Sequence, residues 1–232
     1  MRFTFPLVQG TLIKRYKRFL ADVRMDSGEI MTVHCPNTGT MLSCSAPDSR
    51  VCLSRSDNPQ RKYPYTLEMV KDNSTWVGVN TARTNKLVVE ALEKGQITEF
   101  PDIDTIKTEV KTSAHTRLDL QVNQGDSATF IEVKSCSLAI DGCAMFPDAV
   151  TTRGAKHLHE LVRLTVEGRR ACIFFLVQRM DAEKFSPATH IDALYGEALH
   201  LAAAEGVMVL VYQAEVSPQG IDLVRPLPFS LL

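Results

Sequence analysis

The run Phe130-Ile131-Glu132-Val133-Lys134-Ser135 is apolar except for a carboxylate and an ammonium two residues apart. Side chains on a strand alternate between its two faces, so Glu132 and Lys134 share one face and Ile131 and Val133 the other. The segment Asn123-Gln124-Gly125-Asp126-Ser127 reads as the turn before this strand. A hairpin that pairs Asn123 with Ala128 sets Asp119 opposite Glu132. Opposed residues on one face have Cβ atoms about 4.5–5.5 Å apart, so two carboxylates there repel unless a cation lies between them. Two carboxylates make a hard-oxygen site suited to Mg²⁺ or Mn²⁺. Such an ion activates water against a phosphodiester, and Lys134 on the same face can orient that water or offset developing charge. A loop Ser113-Ala114-His115 would likewise pair Thr112 with Thr116 and bring Glu109 opposite Asp119, as a third metal-directed acid. A one-residue slip breaks either arrangement. The alternative for Glu132 and Lys134 is a solvated strand face.

These residues need a sheet and helices around them. From Asn80 onward the pattern is helical over 81–93, with Leu87, Val88, Ala91 and Leu92 on one face and Gly95 as a stop. Strands are predicted over 108–112, 117–122 and 129–135, then a helix over 153–167. The uninterrupted apolar run 171–177 reads as a central buried strand. A helix over 188–205 and a strand over 207–212 complete this part.

The first eighty residues read differently. Strand-like runs over 12–23, 29–34, 50–55, 66–70 and 75–79 alternate with Gly/Pro/Asn/Asp turns. About five short strands of this kind suit a small barrel, with the five-stranded oligonucleotide-binding (OB) barrel as the leading case. The chain thus divides into an all-β domain over 1–80 and an α/β domain over 81–232.

Charge is unevenly spread. Residues 1–65 hold ten Lys/Arg against five Asp/Glu, a net of +5, and the remainder hold sixteen against twenty-two, a net of −6. A basic first quarter points to a polyanion partner. Lys14, Arg15, Tyr16, Lys17 and Arg18 with Phe19, and Arg61, Lys62 and Tyr63, mix cations for phosphates with rings for bases. A solvated strand with an aromatic core anchor is the plainer reading. Arg153 and Lys156, at the start of the second helix, suit a phosphate, against a simple cap by Thr151 or Thr152. Pro36-Asn37-Thr38-Gly39 reads as a tight turn. Six cysteines include no C-x-x-C, and His34-Cys35 with Cys44 and Cys52 matches no zinc spacing, so reduced thiols in a cytoplasmic protein are expected. No run of about 18 apolar residues marks a membrane span, and no signal peptide is evident.

Asp119 with Glu132-Val133-Lys134, flanked by helices, resembles the PD-(D/E)XK nuclease superfamily. Leu118-Asp119 stands where that pattern has Pro-Asp, which leaves the carboxylate in place. The whole chain resembles the sugar fermentation stimulation protein A family of bacteria and archaea. The resemblance is carried by the stretches 15–23, 34–39, 61–64, 108–111, 131–135 and 146–151, by Arg153-Gly154, and by Lys156-His157-Leu158. It implies an OB-type barrel, a nuclease-like domain with a mixed sheet flanked by helices, sequence-independent DNA binding and a link to sugar (maltose) metabolism. It places the superfamily's acids on Asp119 and Glu132, its lysine on Lys134 and its helix glutamate on Glu90. A non-catalytic DNA-binding regulator on the same fold is the alternative to a Mg²⁺-dependent nuclease.

Overall fold

The computed structural model describes residues 1–114 and 116–231. Among them, six strands come first: β1 (Val8–Tyr16), β2 (Leu20–Met25), β3 (Ile30–His34), β4 (Arg50–Arg55), β5 (Tyr65–Asp72) and β6 (Thr75–Gly78). β1 pairs antiparallel with β2 and β4, β2 with β3, and β4 with β5. A parallel bridge between His34 and Thr66 joins β3 to β5. The strands therefore close in the order β1-β2-β3-β5-β4, an OB-type barrel. Inward positions alternate along each strand and bury Leu12, Val23, Val33, Val51, Leu53 and Leu67. Each such side chain contributes about 1.5–3 kcal/mol by leaving water.

One expected strand is two. The run 12–23 breaks at a turn over 17–19, where Tyr16 pairs with Leu20 and Lys17 and Arg18 have φ of 49° and 61°. No Gly or Asn marks this turn, so the sequence signal for it is missing. The dense basic cluster is therefore the end of a strand plus a turn.

A 3-10 turn over Thr81–Arg83 leads into α1 (Thr84–Glu93). The meander β7 (Thr105–Lys111), β8 (Arg117–Gln124) and β9 (Ser127–Cys136) follows, then β10 (Leu138–Ile140) and β11 (Cys143–Phe146). α2 (Thr152–Val166), β12 (Arg170–Val177), β13 (Lys184–Pro187), α3 (Ala193–Ala204), β14 (Met208–Ser217) and β15 (Gly220–Pro226) complete the chain. The main sheet has the order β15-β14-β12-β9-β8-β7, and β12 runs parallel to both β9 and β14. α1 packs on one face with Leu120, Val122, Ile131, Val133 and Phe174. α2 and α3 cover the other with Phe130, Ile173, Phe175 and Val177. β12, buried on both faces, is the apolar run 171–177 of the sequence. α3 begins five residues later than its periodicity suggests, because Asp192 caps it by accepting a hydrogen bond from the Tyr195 amide at 3.0 Å.

Candidate active site

β8 and β9 pair with Asn123 against Ala128 and Leu120 against Ile131. The ladder ends there. One residue on, Asp119 Oδ2 accepts the Val133 amide at 2.8 Å, so the Asp119 carboxylate replaces a backbone partner where the two strands part. Its other oxygen accepts from Asn85 Nδ2 of α1 at 2.7 Å. Burial raises the Asp119 pKa, and the nearby Glu132 charge raises it further.

Glu132 is 3% exposed. Its Oε1 meets Lys134 Nζ at 2.5 Å and His157 Nδ1 of α2. Burial opposes ionisation of this carboxyl, yet His157 and Lys134 together hold its pKa below the usual value. Its Oε2 is buried and has no hydrogen-bond partner. Arg153 Nε lies 3.4 Å from His157 Nε2, so a chain of contacts runs Glu132–His157–Arg153. α2 is aimed by its cap, in which Thr151 Oγ1 accepts from the Gly154 amide at 3.1 Å.

These groups line a cleft of about 680 Å³. One side of it comes from the barrel: Arg18 and the loop of Asn37, Thr38 and Gly39. The rest comes from the end of β8, from α1 and from residues 146–154.

The other expected site residues are distributed as follows. Glu109 is in register with Asp119, since Thr108 and Val110 pair with Leu120 and Leu118. Its own φ is 55°, however, and its carboxylate lies on the cleft rim 3.8 Å from Arg117. The loop expected at 113–115 agrees with the Thr112 amide donating to the Thr116 carbonyl, while His115 lies outside the described residues. Glu90 is placed away from the cleft. Its carboxylate binds the Met1 amino group at 3.1 Å and Lys94 at 2.5 Å, and Asn85 is the α1 side chain that reaches Asp119.

The barrel cations also divide. Lys14 and Lys62 are exposed and lie over the rings of Tyr16 and Tyr63. Tyr16 is not an open platform for a base: its hydroxyl donates to Asp22 at 2.9 Å and Lys14 covers its ring. Arg15 points inward and donates to the carbonyls of Arg18, Asn37, Gly39 and Thr40. Arg61 faces His34 at 3.2 Å. Lys17, in the turn, and Lys156, on α2, are exposed.

Nothing in the sequence singled out Asn85 or Arg117, and His157 stood there only as a candidate helper of Arg153 and Lys156 at a phosphate. His157 follows Arg153 by one helical turn, which puts both on one face of α2. Only the tertiary packing shows that this face meets Glu132. Among the described residues, no three His, Cys, Asp or Glu side chains converge into a ready-made metal cage. Two neighbouring carboxylates, one with a bare buried oxygen, are the available donors. That is a fit for a hard divalent ion completed by water and substrate.

A closed OB-type barrel joined to an α/β domain whose mixed sheet is flanked by helices, with an acidic pair and a lysine at their junction, is a two-domain class. Family models match both parts: the SfsA N-terminal OB domain over residues 13–79 and the sugar fermentation stimulation protein RE domain over 82–220. The chain belongs to the sugar fermentation stimulation protein family. It is 53% identical over 231 residues to a homologue from Desulfotalea psychrophila, covering 100% of this chain and 95% of that protein. A homologue from Pelobacter propionicus is 50% identical over 226 residues, covering 97% and 98%. The structure of Pyrococcus furiosus SfsA in complex with Ca²⁺ superposes with a TM-score of 0.91 at 26% identity, over 99% of this chain and 98% of that one. No helix among the described residues is long and apolar enough to cross a membrane.

Proposed function

We propose that the cleft is the active site of a Mg²⁺- or Mn²⁺-dependent nuclease that acts on DNA without sequence preference. The observation that carries the reading is Glu132: a deeply buried carboxylate, charge-held on one oxygen by Lys134 and His157, bare on the other, beside a second carboxylate at Asp119. Burying such a pair costs stability, a cost that a functional role accounts for. The Ca²⁺ in the Pyrococcus furiosus relative supports a divalent-ion site in this fold.

Asp119 and Glu132 would hold the ion through their carboxylate oxygens. When bound, it supplies polarisation of a phosphate oxygen and an acidified water. Lys134 places a positive charge next to the reacting phosphate, where it stabilises charge that develops in the transition state. His157 positions Glu132, and Asn85 positions Asp119. Exposed cations on the barrel, Lys14, Lys17 and Lys62, supply sequence-independent attraction to the phosphate backbone. The charges at Asp22 and Glu109 temper that field locally.

The test is cleavage of labelled DNA with Mg²⁺ or Mn²⁺. Glu132→Gln and Lys134→Ala are each expected to lower the rate by about 10²–10³ or more while DNA affinity stays within a few-fold. Wild-type protein that binds DNA but cuts neither DNA strand form with either ion contradicts the reading.

A further inference from the structure

We infer that this cleft takes its DNA as a single strand, and that Arg18 of the barrel is the residue that seats it; the inference rests on the nuclease reading above.

The acids lie at the bottom of the cleft, and one of its walls belongs to the other domain. Asn37, Thr38, Gly39 and Arg18 face the same space as Asp119, Glu132 and Arg153. A duplex could reach the acids only if that wall moved aside.

The wall is fastened at several points. The Arg15 guanidinium donates to the Arg18 and Asn37 carbonyls at 2.9 and 2.7 Å and to the Gly39 carbonyl at 2.7 Å, tying the turn to the loop. The Met41 amide donates to Asp148 Oδ2 at 2.7 Å, and Thr40 Oγ1 donates to the Asp148 carbonyl. Gly39 is needed for this approach, because a Cβ there would collide with the Asp148 carboxylate. Asn37 Nδ2 donates to the Val79 carbonyl at 3.2 Å. The loop is thus bolted to its own domain and to the strip 146–151 across the cleft.

Between the fastened loop and the acids a single strand can pass, because its backbone follows a charged channel without a partner strand.

Arg18 is placed for this use. It is exposed, and among the described residues its side chain has no hydrogen bond or ion pair, unlike Arg15. Lys17 and Arg18 both hold left-handed φ values, a conformation unfavourable for non-glycine residues that tends to persist at ligand-contacting turns. Arg15 secures the carbonyl of that turn, so the Arg18 side chain is delivered to the cleft from a fixed backbone.

The test compares one labelled DNA sequence as a single strand, a blunt duplex and a splayed fork, cut by the full-length protein with Mn²⁺. Unstacking and unpairing a duplex costs enough that the single strand and the fork's open arms are expected to be cut at least about tenfold faster than the blunt duplex. Arg18→Ala is expected to raise KM for the single strand by about tenfold, to flatten the salt dependence of binding by about one phosphate contact, and to leave the melting temperature unchanged. Arg18→Lys should restore part of the loss. Equal cutting of blunt duplex and single strand overturns the strand preference, and an unaltered KM in Arg18→Ala overturns the role of Arg18. Failure to cut any of the three forms removes the nuclease reading itself, and this inference with it.

Discussion

The proposed chemistry rests on Glu132, whose burial also carries a cost. A lone buried carboxylate would take up a proton rather than stay charged, so its depressed pKa depends on Lys134 and His157. Asp119 shows the opposite balance, since burial and the Glu132 charge outweigh its hydrogen bonds to Val133 and Asn85. The cysteines are different. All six are buried and unpaired, and burial pushes Cys44 up to about 12 and Cys52 up to about 11. Only a thiolate attacks a disulfide reagent. Native protein at pH 8 should therefore give no fast thiol reaction with Ellman's reagent, and six thiols should appear on unfolding; a rapidly reacting thiol in the native state would contradict this burial. Cys35 and Cys44 pack into the barrel core, and Cys52 into the apolar cluster it shares with Met69 and Leu92.

At the level of elements, the hairpin of β8 and β9 decides the site. Its register was legible because a turn with Gly125 and alternating apolar residues leaves one pairing that buries Leu120, Val122 and Ile131 together. The helices of the second domain were legible from their 3.6-residue periodicity. What sequence could not supply was any contact set by packing: Asn85 on Asp119, His157 on Glu132, and Glu90 turned to the Met1 amino group. The turn at 17–19 escaped notice because Lys and Arg occupy positions that usually call for Gly or Asn. β10, β11, β13 and β15 escaped because they are short or lie at sheet edges, where half-buried patterns are faint. Arg15 gives a prediction at this scale. Its four donations to carbonyls are charge-assisted, so Arg15→Ala is expected to lower stability by about 2 kcal/mol in urea unfolding, with a shifted midpoint and little change in slope. An unchanged midpoint would mean that those carbonyls find water equally well.

Across the molecule, the two domains are held by an ion network around one buried arginine. Arg179, 2% exposed, binds Asp72 of the barrel at 2.9 Å and Asp181 at 2.6 Å, and donates to Ser43 Oγ at 3.0 Å and the Ser137 carbonyl at 2.8 Å. Gln178 adds a backbone hydrogen bond from the Gly78 amide at 2.9 Å. Arg179→Ala removes the hydrogen bonds to Ser43, the Ser137 carbonyl and both acids, so it should cost about 2–3 kcal/mol and split a single calorimetric transition into two. One undivided transition in the variant would contradict the coupling. The pH dependence has a definite sign. Hydrogen bonding to Arg179 lowers the Asp181 pKa from its ordinary 3.8. A depressed acid contributes stability that is present above the unfolded pKa and lost as pH falls through the folded one. The melting temperature should therefore show no loss from this network between pH 6 and 8, and a decline only below about pH 4. A network that fails near neutrality would need a different titrating group.

The proposed chemistry happens at one place in space, between the carboxylates of Asp119 and Glu132 and beside the ammonium of Lys134. Anomalous diffraction from a crystal soaked in Mn²⁺ examines that place directly. The account predicts a peak ligated by both carboxylates in wild-type protein and its loss in Asp119→Asn. Manganese bound only elsewhere, or no peak at millimolar concentration, would contradict it.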